Sequence, residues 1–374
     1  IINVSTENVK SPLELASYYR YDGEVIQASN DCYTSAVSQD GRYVVMDTYG
    51  PLTNSGAGGG RSIYLRDRQT DEISLASISS EGEPGNWNSY YPSITADGDV
   101  ILYYSESTTL VPNDTNRVGD IFMHRRSTGE TTRVNLRSNG EQANGTTGKY
   151  ADVSASGRYV VFSSKADNLV MDDNNGIADL FVRDTRRNRT SRIQIEHGGP
   201  DGVGLTKLCQ PAISSNGRMT VFKAYNTSER KYAIYLWNGN DWKVTRITPF
   251  ETSVSGCYSA QYRPDISDDG SYVTFVGNEG RYDQIYRYDT TAKTTAHISK
   301  GIDTTHGYGN SSAPTISSDG RYIAFSSEAN NLIAEDTNGF NDVFVYDALN
   351  DNTKLVTKGI GGFQGKQHSS MPFI

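Results

Sequence analysis

Apolar and polar side chains alternate in short bursts along this chain, and the bursts repeat. AVSQDGRYVVMD (36–47), SITADGDVILYY (93–104), DVSASGRYVVFS (152–163), AISSNGRMTVFK (212–223), DISDDGSYVTFV (265–276) and TISSDGRYIAFS (315–326) share an apolar run, a turn and then period-two alternation. Tyr159, Val161 and Ser163 fall on one face and Val160 and Phe162 on the other, which is the period of a strand. The turn is Asp-Gly or Asn-Gly in five of the six copies. That dipeptide predicts a two-residue hairpin turn with positive φ. A third strand follows in SIYLRD, DIFMHR, DLFVRD, AIYLWN, QIYRYD and DVFVYD, and a fourth in TTRVNL (131–136), RTSRIQI (189–195) and TKLVT (353–357).

Four antiparallel strands repeated every 50 to 60 residues, with no helical period, predict an all-β chain folded as a β-propeller. The expected organisation is a single domain over 1–374. Its blades fall near 35–77, 92–136, 151–195, 211–248, 264–299 and 314–357. SSMPFI (369–374) reads like the start of a further blade and PLELAS (12–17) like a closing strand. The expectation is therefore six complete blades plus a composite seventh built from 1–17 and 369–374, which removes two free sheet edges. A six-bladed propeller is the alternative.

The repeated P-x-I-S-x-D-G-R-Y-V-x-F followed by D-x-F-V-x-D resembles the WD40-like (PD40) repeats of TolB-like propellers, over nearly the whole chain. Relatives with such repeats include periplasmic interaction proteins, the propeller domains of prolyl oligopeptidase-like enzymes, and oligogalacturonate lyases. The chain departs from the peptidases, because it has no G-x-S-x-G elbow and no room for a hydrolase domain, and it lacks the sialidase S-x-D-x-G-x-T-W box. The resemblance thus implies a binding or scaffold protein, extracellular or periplasmic, with a polysaccharide lyase as an alternative; the unusual termini add a second, a structural subunit self-assembling through them.

Composition narrows the partners. With 44 Asp and Glu against 35 Lys and Arg, a net charge of −9 and no basic run, the chain is not built for nucleic acid or anionic membranes. No apolar stretch approaches the roughly 20 residues that span a bilayer, so membrane insertion is not expected. Many Ser, Thr and Asn and few Lys fit an exported β-protein. Cys32, Cys209 and Cys257 allow at most one internal disulfide. A mixed Cys and His metal site would lack any C-x-x-C pair.

Candidate chemistry gathers in the segments that lead from one blade into the next. They hold the three cysteines, His197, His306 and His368, and the aromatics Tyr33, Trp87, Tyr90, Tyr91, Tyr150, Tyr258, Tyr262 and Tyr308. Flat rings with hydrogen-bonding neighbours suit a glycan or protein partner, and each Tyr taken alone suits packing between blades. A lyase would need a base and a carboxylate neutraliser, for which His306, His368, Tyr308, Tyr258, Tyr262 and Arg263 are the candidates.

A second constellation lies between second and third strands. NDTNRVGDIF, DDNNGIADLF and EDTNGFNDVF align Asp114, Asn116 and Asp120 with Asp173, Asn175 and Asp179 and with Asp336, Asn338 and Asp342. D-x-N-x-x-x-D resembles the first half of an EF-hand loop without its bidentate Glu, so Ca2+ is the cofactor it admits; no organic cofactor is indicated. Asn and Asp also cap their own turns, which leaves a plain Asx turn open. These loops are expected to lie away from the aromatic mouth.

Overall fold

The computed structural model describes residues 18–21, 24–27, 32–53, 60–195, 204–249, 254–257, 259–278, 280–303, 306–358, 364–365 and 368–374. Among them, Tyr18–Tyr21 pairs with Glu24–Gln27 in a hairpin, and six four-stranded antiparallel sheets follow, each in sequential strand order. Blade 1 comprises Cys32–Val37, Tyr43–Thr48, Ser62–Asp67 and Glu72–Leu75; blade 2 comprises Ser89–Ile94, Val100–Ser105, Asp120–Arg125 and Glu130–Arg133. Blade 3 comprises Thr147–Val153, Tyr159–Ser164, Asp179–Asp184 and Arg189–Arg192; blade 4 comprises Leu205–Ile213, Met219–Asn226, Lys231–Asn238 and Lys243–Arg246. Blade 5 comprises Asp265–Ile266, Tyr272–Asn278, Asp283–Asp289 and Thr294–His297, and blade 6 comprises Ser311–Ile316, Tyr322–Ser327, Asp342–Asp347 and Asn352–Leu355.

The six-bladed alternative matches this count. The composite seventh blade is not seen: residues 1–17 lie outside the described residues, and 368–374 form no strand. Contacts cluster into two compact units, with blades 1 to 3 in 15–193 and blades 4 to 6 in 194–374. No described helix is long and apolar enough to cross a membrane.

Burial explains why the sequence alternates where it does. In the second and third strands of each blade both faces are covered, and stacked ring pairs fill the centre: Tyr103 with Phe122, Phe162 with Phe181, Phe222 with Tyr235, Phe275 with Tyr286, and Phe325 with Phe344. The fourth strands of blades 1, 2, 4 and 6 are exposed on alternate residues, as in the Glu130–Arg133 strand, whereas Thr294–Ala296 of blade 5 is exposed throughout.

The Asp-Gly turn differs from the expected two-residue form. Gly41 N bonds to Ser38 O at 2.8 Å and Ser38 N to Tyr43 O at 2.9 Å, so the loop is longer. Only the glycine takes positive φ, 71° at Gly41, while the residue before it acts as a cap. Asp40 Oδ1 accepts from Ser38 Oγ at 2.6 Å and from Arg42 N at 3.0 Å, and Ser38 Oγ accepts from Tyr43 N at 3.0 Å. The same exchange recurs at Ser317, Asp319 and Tyr322. The Arg that follows then pairs with the Asp ending the third strand: Arg42 with Asp67 at 2.6 Å, Arg158 with Asp184 at 2.8 Å and Arg321 with Asp347 at 2.8 Å. Arg42 holds the Asp67 carboxyl down at about 2.

Candidate functional site

In an antiparallel blade the chain reverses at every strand, so the segments leaving the second and fourth strands emerge at the same end. Hydrogen bonds join the two classes directly. Asn116 Nδ2 donates to Ala143 O at 3.1 Å and Gln142 Nε2 to Thr115 Oγ1 at 3.2 Å in blade 2. In blade 6, Asn338 Nδ2 donates to Gly365 O at 3.1 Å and Thr337 N to Gln364 Oε1 at 3.1 Å. The expectation that the Asp and Asn loops lie away from the aromatic end is corrected by this parity.

Of the predicted aromatics, Tyr33, Tyr90, Tyr91 and Tyr150 sit not in loops but near the starts of first strands, whereas Trp87 and Tyr308 precede theirs and Tyr262 lies in a short 3-10 turn; several first strands begin earlier than the sequence placed them, blade 4 at Leu205 rather than 211. There the ladder slips, between Cys32 and Ser35, between Tyr90 and Ser93, and between Thr147 and Ala151. Tyr91 lies in such a slip with φ 53°, and slips of this kind re-aim side chains.

In the unit of blades 1 to 3 the result is one aromatic cluster. Tyr91 packs on Tyr150 at 4.5 Å and on Tyr90 at 6.0 Å, and Tyr90 on Tyr104 at 6.1 Å. Tyr33 meets Tyr49 edge-on at 5.9 Å. Arg61 joins them, its guanidinium 4.0 Å from the Tyr33 ring and 5.1 Å from the Tyr90 ring. That guanidinium is anchored on Asp47 at 2.7 Å, and Asp47 also accepts from Thr34 N at 2.7 Å and Tyr91 N at 3.1 Å. Lys149 lies 4.6 Å from the Tyr90 ring and pairs with Glu106 at 3.4 Å. Burial, reinforced by Glu106, pushes the Tyr90 phenol up to about 12. Tyr33 is 41% and Tyr49 47% exposed, so the cluster presents rings to solvent. Trp87 is exposed as well.

Sequence reasoning brought in Tyr33, Tyr90, Tyr91 and Tyr150 but missed Tyr49, Arg61, Asp47 and Lys149. Tyr49 and Arg61 border the second-to-third-strand loop of blade 1. Strand parity would have added them.

The unit of blades 4 to 6 carries the remaining candidates. Cys209 and Cys257 are bonded, Cα atoms 6.0 Å apart, and Cys32 is outside any disulfide. Lys223 pairs with Cys209 across the ladder and is fully buried, its ammonium 3.3 Å from Ser255 O and 5.5 Å from the Tyr262 ring. Burial pulls it down to about 7, partly opposed by Asp283. Arg263 donates to Pro211 O at 2.9 Å. His306 packs on His297 at 4.7 Å in blade 5, whereas His368 Nδ1 accepts from Asn341 N at 3.0 Å beside Phe340 in blade 6. Tyr308 is exposed and donates to Asp303 at 3.0 Å. Each lyase candidate thus has its own setting, and Tyr258 lies outside the described residues.

The three Asp and Asn loops each form an Asx turn, with Val118 N, Ile177 N and Phe340 N donating to the Asn oxygen. The Asn amide then donates to the second Asp, at 3.1 Å to Asp120, 2.8 Å to Asp179 and 2.7 Å to Asp342. What balances the carboxylates differs from blade to blade. Arg133 reaches Asp114 at 3.2 Å and Asp120 at 3.3 Å, and Arg192 reaches Asp173 at 3.2 Å and Asp179 at 3.3 Å.

No family model matches the chain. No curated protein matches it in sequence either. Solved structures do. An oligogalacturonate lyase in complex with manganese is 13% identical, covering 90% of this chain and 88% of that one, with a TM-score of 0.53. The β-propeller domain of the Trilobed protease from Pyrococcus furiosus is 12% identical over 89% of this chain and 85% of that one, with a TM-score of 0.52. The chain is a β-propeller. A putative TolB from Agrobacterium tumefaciens is 15% identical over 82% of this chain and 92% of that one, with a TM-score of 0.49. At these identities the likeness establishes the β-propeller fold alone.

Proposed function

We propose that this propeller is an exported binding or scaffold protein that takes a glycan through the Tyr33, Tyr49, Tyr90, Tyr91 and Tyr150 surface. The observation that carries the reading is the pair of half-exposed rings, Tyr33 and Tyr49, fixed around an Arg61 that is itself locked on buried Asp47. Rings held in place lose little entropy on binding, and their faces suit the apolar patches of a sugar. The Lys149 and Glu106 pair adds polar groups at the margin. Export is supported by the Cys209–Cys257 disulfide, which belongs to oxidising compartments.

The test is a calorimetric titration of neutral and acidic oligosaccharides into the full chain. Tyr33→Ala with Tyr49→Ala is expected to weaken binding at least about tenfold, in line with the loss of anchoring rings. A double variant that binds as well as the parent sinks the glycan reading, and capture of a protein by the same face replaces it. Absorbance of unsaturated products after incubation with acidic glycans would move the protein to the lyases.

A further inference from the structure

The aligned loops of blades 2, 3 and 6 differ at one register position. The residue opposite Phe122 on the fourth strand is Arg133, and the residue opposite Phe181 is Arg192. Opposite Phe344 stands Leu355. In blades 2 and 3 that arginine bridges both carboxylates of its loop, and Arg192 also donates to Asp172 O at 3.0 Å. Blade 6 keeps both carboxylates, with Asp336 6% and Asp342 0% exposed, and among the described residues no arginine pairs with either.

The hydrogen bonds of blade 6 leave part of this pair unmet. Asp342 accepts from Asn338 Nδ2 at 2.7 Å and from Thr357 Oγ1 at 2.6 Å. Asp336 is hydrogen-bonded to Asn338 N and Gln364, but its Oδ1 is buried with no donor, as are Asn341 Oδ1 in the same loop and Asp114 Oδ1 in blade 2, where Arg133 supplies the countercharge. Leu355 lines a cavity of about 590 Å³ together with Ile333, Glu335, Lys354 and Lys358. Among the described residues no ion pair joins either lysine to Asp336 or Asp342. Two like charges taken out of water without a counter-ion are costly. A cation removes that cost, and the carboxylates of Asp336 and Asp342 offer the hard oxygens that a calcium-like ion takes.

We infer that the blade 6 loop of Asp336, Asn338 and Asp342 binds one divalent cation of the calcium class, and that the sister loops of blades 2 and 3, neutralised by Arg133 and Arg192, bind none. The two arginines stand where the ion's charge would act. Sequence alignment alone treats the three loops as equivalent; the fourth-strand residue separates them.

The experiment is equilibrium dialysis of the chelator-stripped full chain against radioactive Ca2+, with melting followed in CaCl2 and in EDTA. One ion per chain is expected, with a melting point that falls in EDTA. Leu355→Arg rebuilds the arrangement of blades 2 and 3, and is expected to abolish uptake and the EDTA effect while leaving a cooperative transition. Asp336→Asn is expected to weaken uptake at least about tenfold, which keeps the test decisive if the arginine variant does not fold. Uptake of three ions, no uptake at millimolar Ca2+, or uptake unchanged in both variants overturns the inference.

Discussion

At the scale of single residues, Lys223 is the group most at odds with its surroundings. It lies opposite Cys209 in the ladder, fully buried, and burial lowers its ammonium from 10.5 to about 7. Between pH 7 and 10.5 the unfolded chain holds a proton at this residue that the folded chain has released. Stability from this group therefore rises with pH across that window and is flat below it. Urea melts at pH 6.5, 8 and 9.5 should show this gain in the parent, and Lys223→Met should remove it and be more stable at the lowest pH. A parent whose pH dependence matches that of the variant would place Lys223 in water. Nothing in the sequence marked Lys223, because AISSNGRMTVFK fits the alternation of a strand whether or not the lysine face is covered. The same limit hid Arg61: its importance comes from Asp47 and Tyr33, which the fold brings to it.

At the scale of elements, the Asp-Gly turns are spelled out locally and were therefore legible. Each needs one left-handed residue and one capping carboxylate or amide, and glycines with Asp or Asn before them announce both. What the spelling did not show is the use of the turn as a seat for a neighbouring blade. A Cβ on Gly98, at φ 71°, would come within 2.1 Å of the Tyr43 ring of blade 1. Arg126 and Arg42 stack on that ring at 3.9 and 4.7 Å. Gly82 has φ 88° with nothing near its Cβ position. Gly82→Ala is then expected to cost about 1 kcal/mol from backbone strain alone, and Gly98→Ala about 2–4 kcal/mol from strain plus overpacking. Denaturant midpoints of the two variants measure the difference, and equal costs would mean that Tyr43 yields freely. Blade boundaries were less legible, because the slips near Tyr33, Tyr91 and Tyr150 break the period-two pattern where the first strands begin.

At the scale of the molecule, the repeat fixed the architecture while the number of blades depended on how the termini were read. Six sheets were countable from their glycines. The proposed seventh rested on terminal segments too short to carry a pattern of their own. The two compact units differ in one covalent respect: the disulfide closes a separation of 48 residues inside the unit of blades 4 to 6. A loop of that length corresponds to about 4 kcal/mol of unfolded-state constraint. Reduction is accordingly expected to speed amide exchange in blades 4 and 5 while blades 1 to 3 keep their protection, read by hydrogen exchange with and without reductant. Uniform loss across all six blades would show that the units unfold as one.

The strand parity that puts second-strand and fourth-strand exits together has a consequence for how such a chain tolerates change. One end of each blade is written in backbone geometry, with the glycine, in five of the six copies a capping Asp or Asn, and in several an arginine, and few substitutions keep that grammar. The other end differs from copy to copy: an Arg61 knot in blade 1, arginine-bridged carboxylates in blades 2 and 3, a disulfide anchor in blade 4, a tilted pair of histidine rings in blade 5 and an unbridged acid pair in blade 6. Mutational tolerance should be lopsided accordingly, and new recognition can be grafted onto the second end of a blade without rewriting the first.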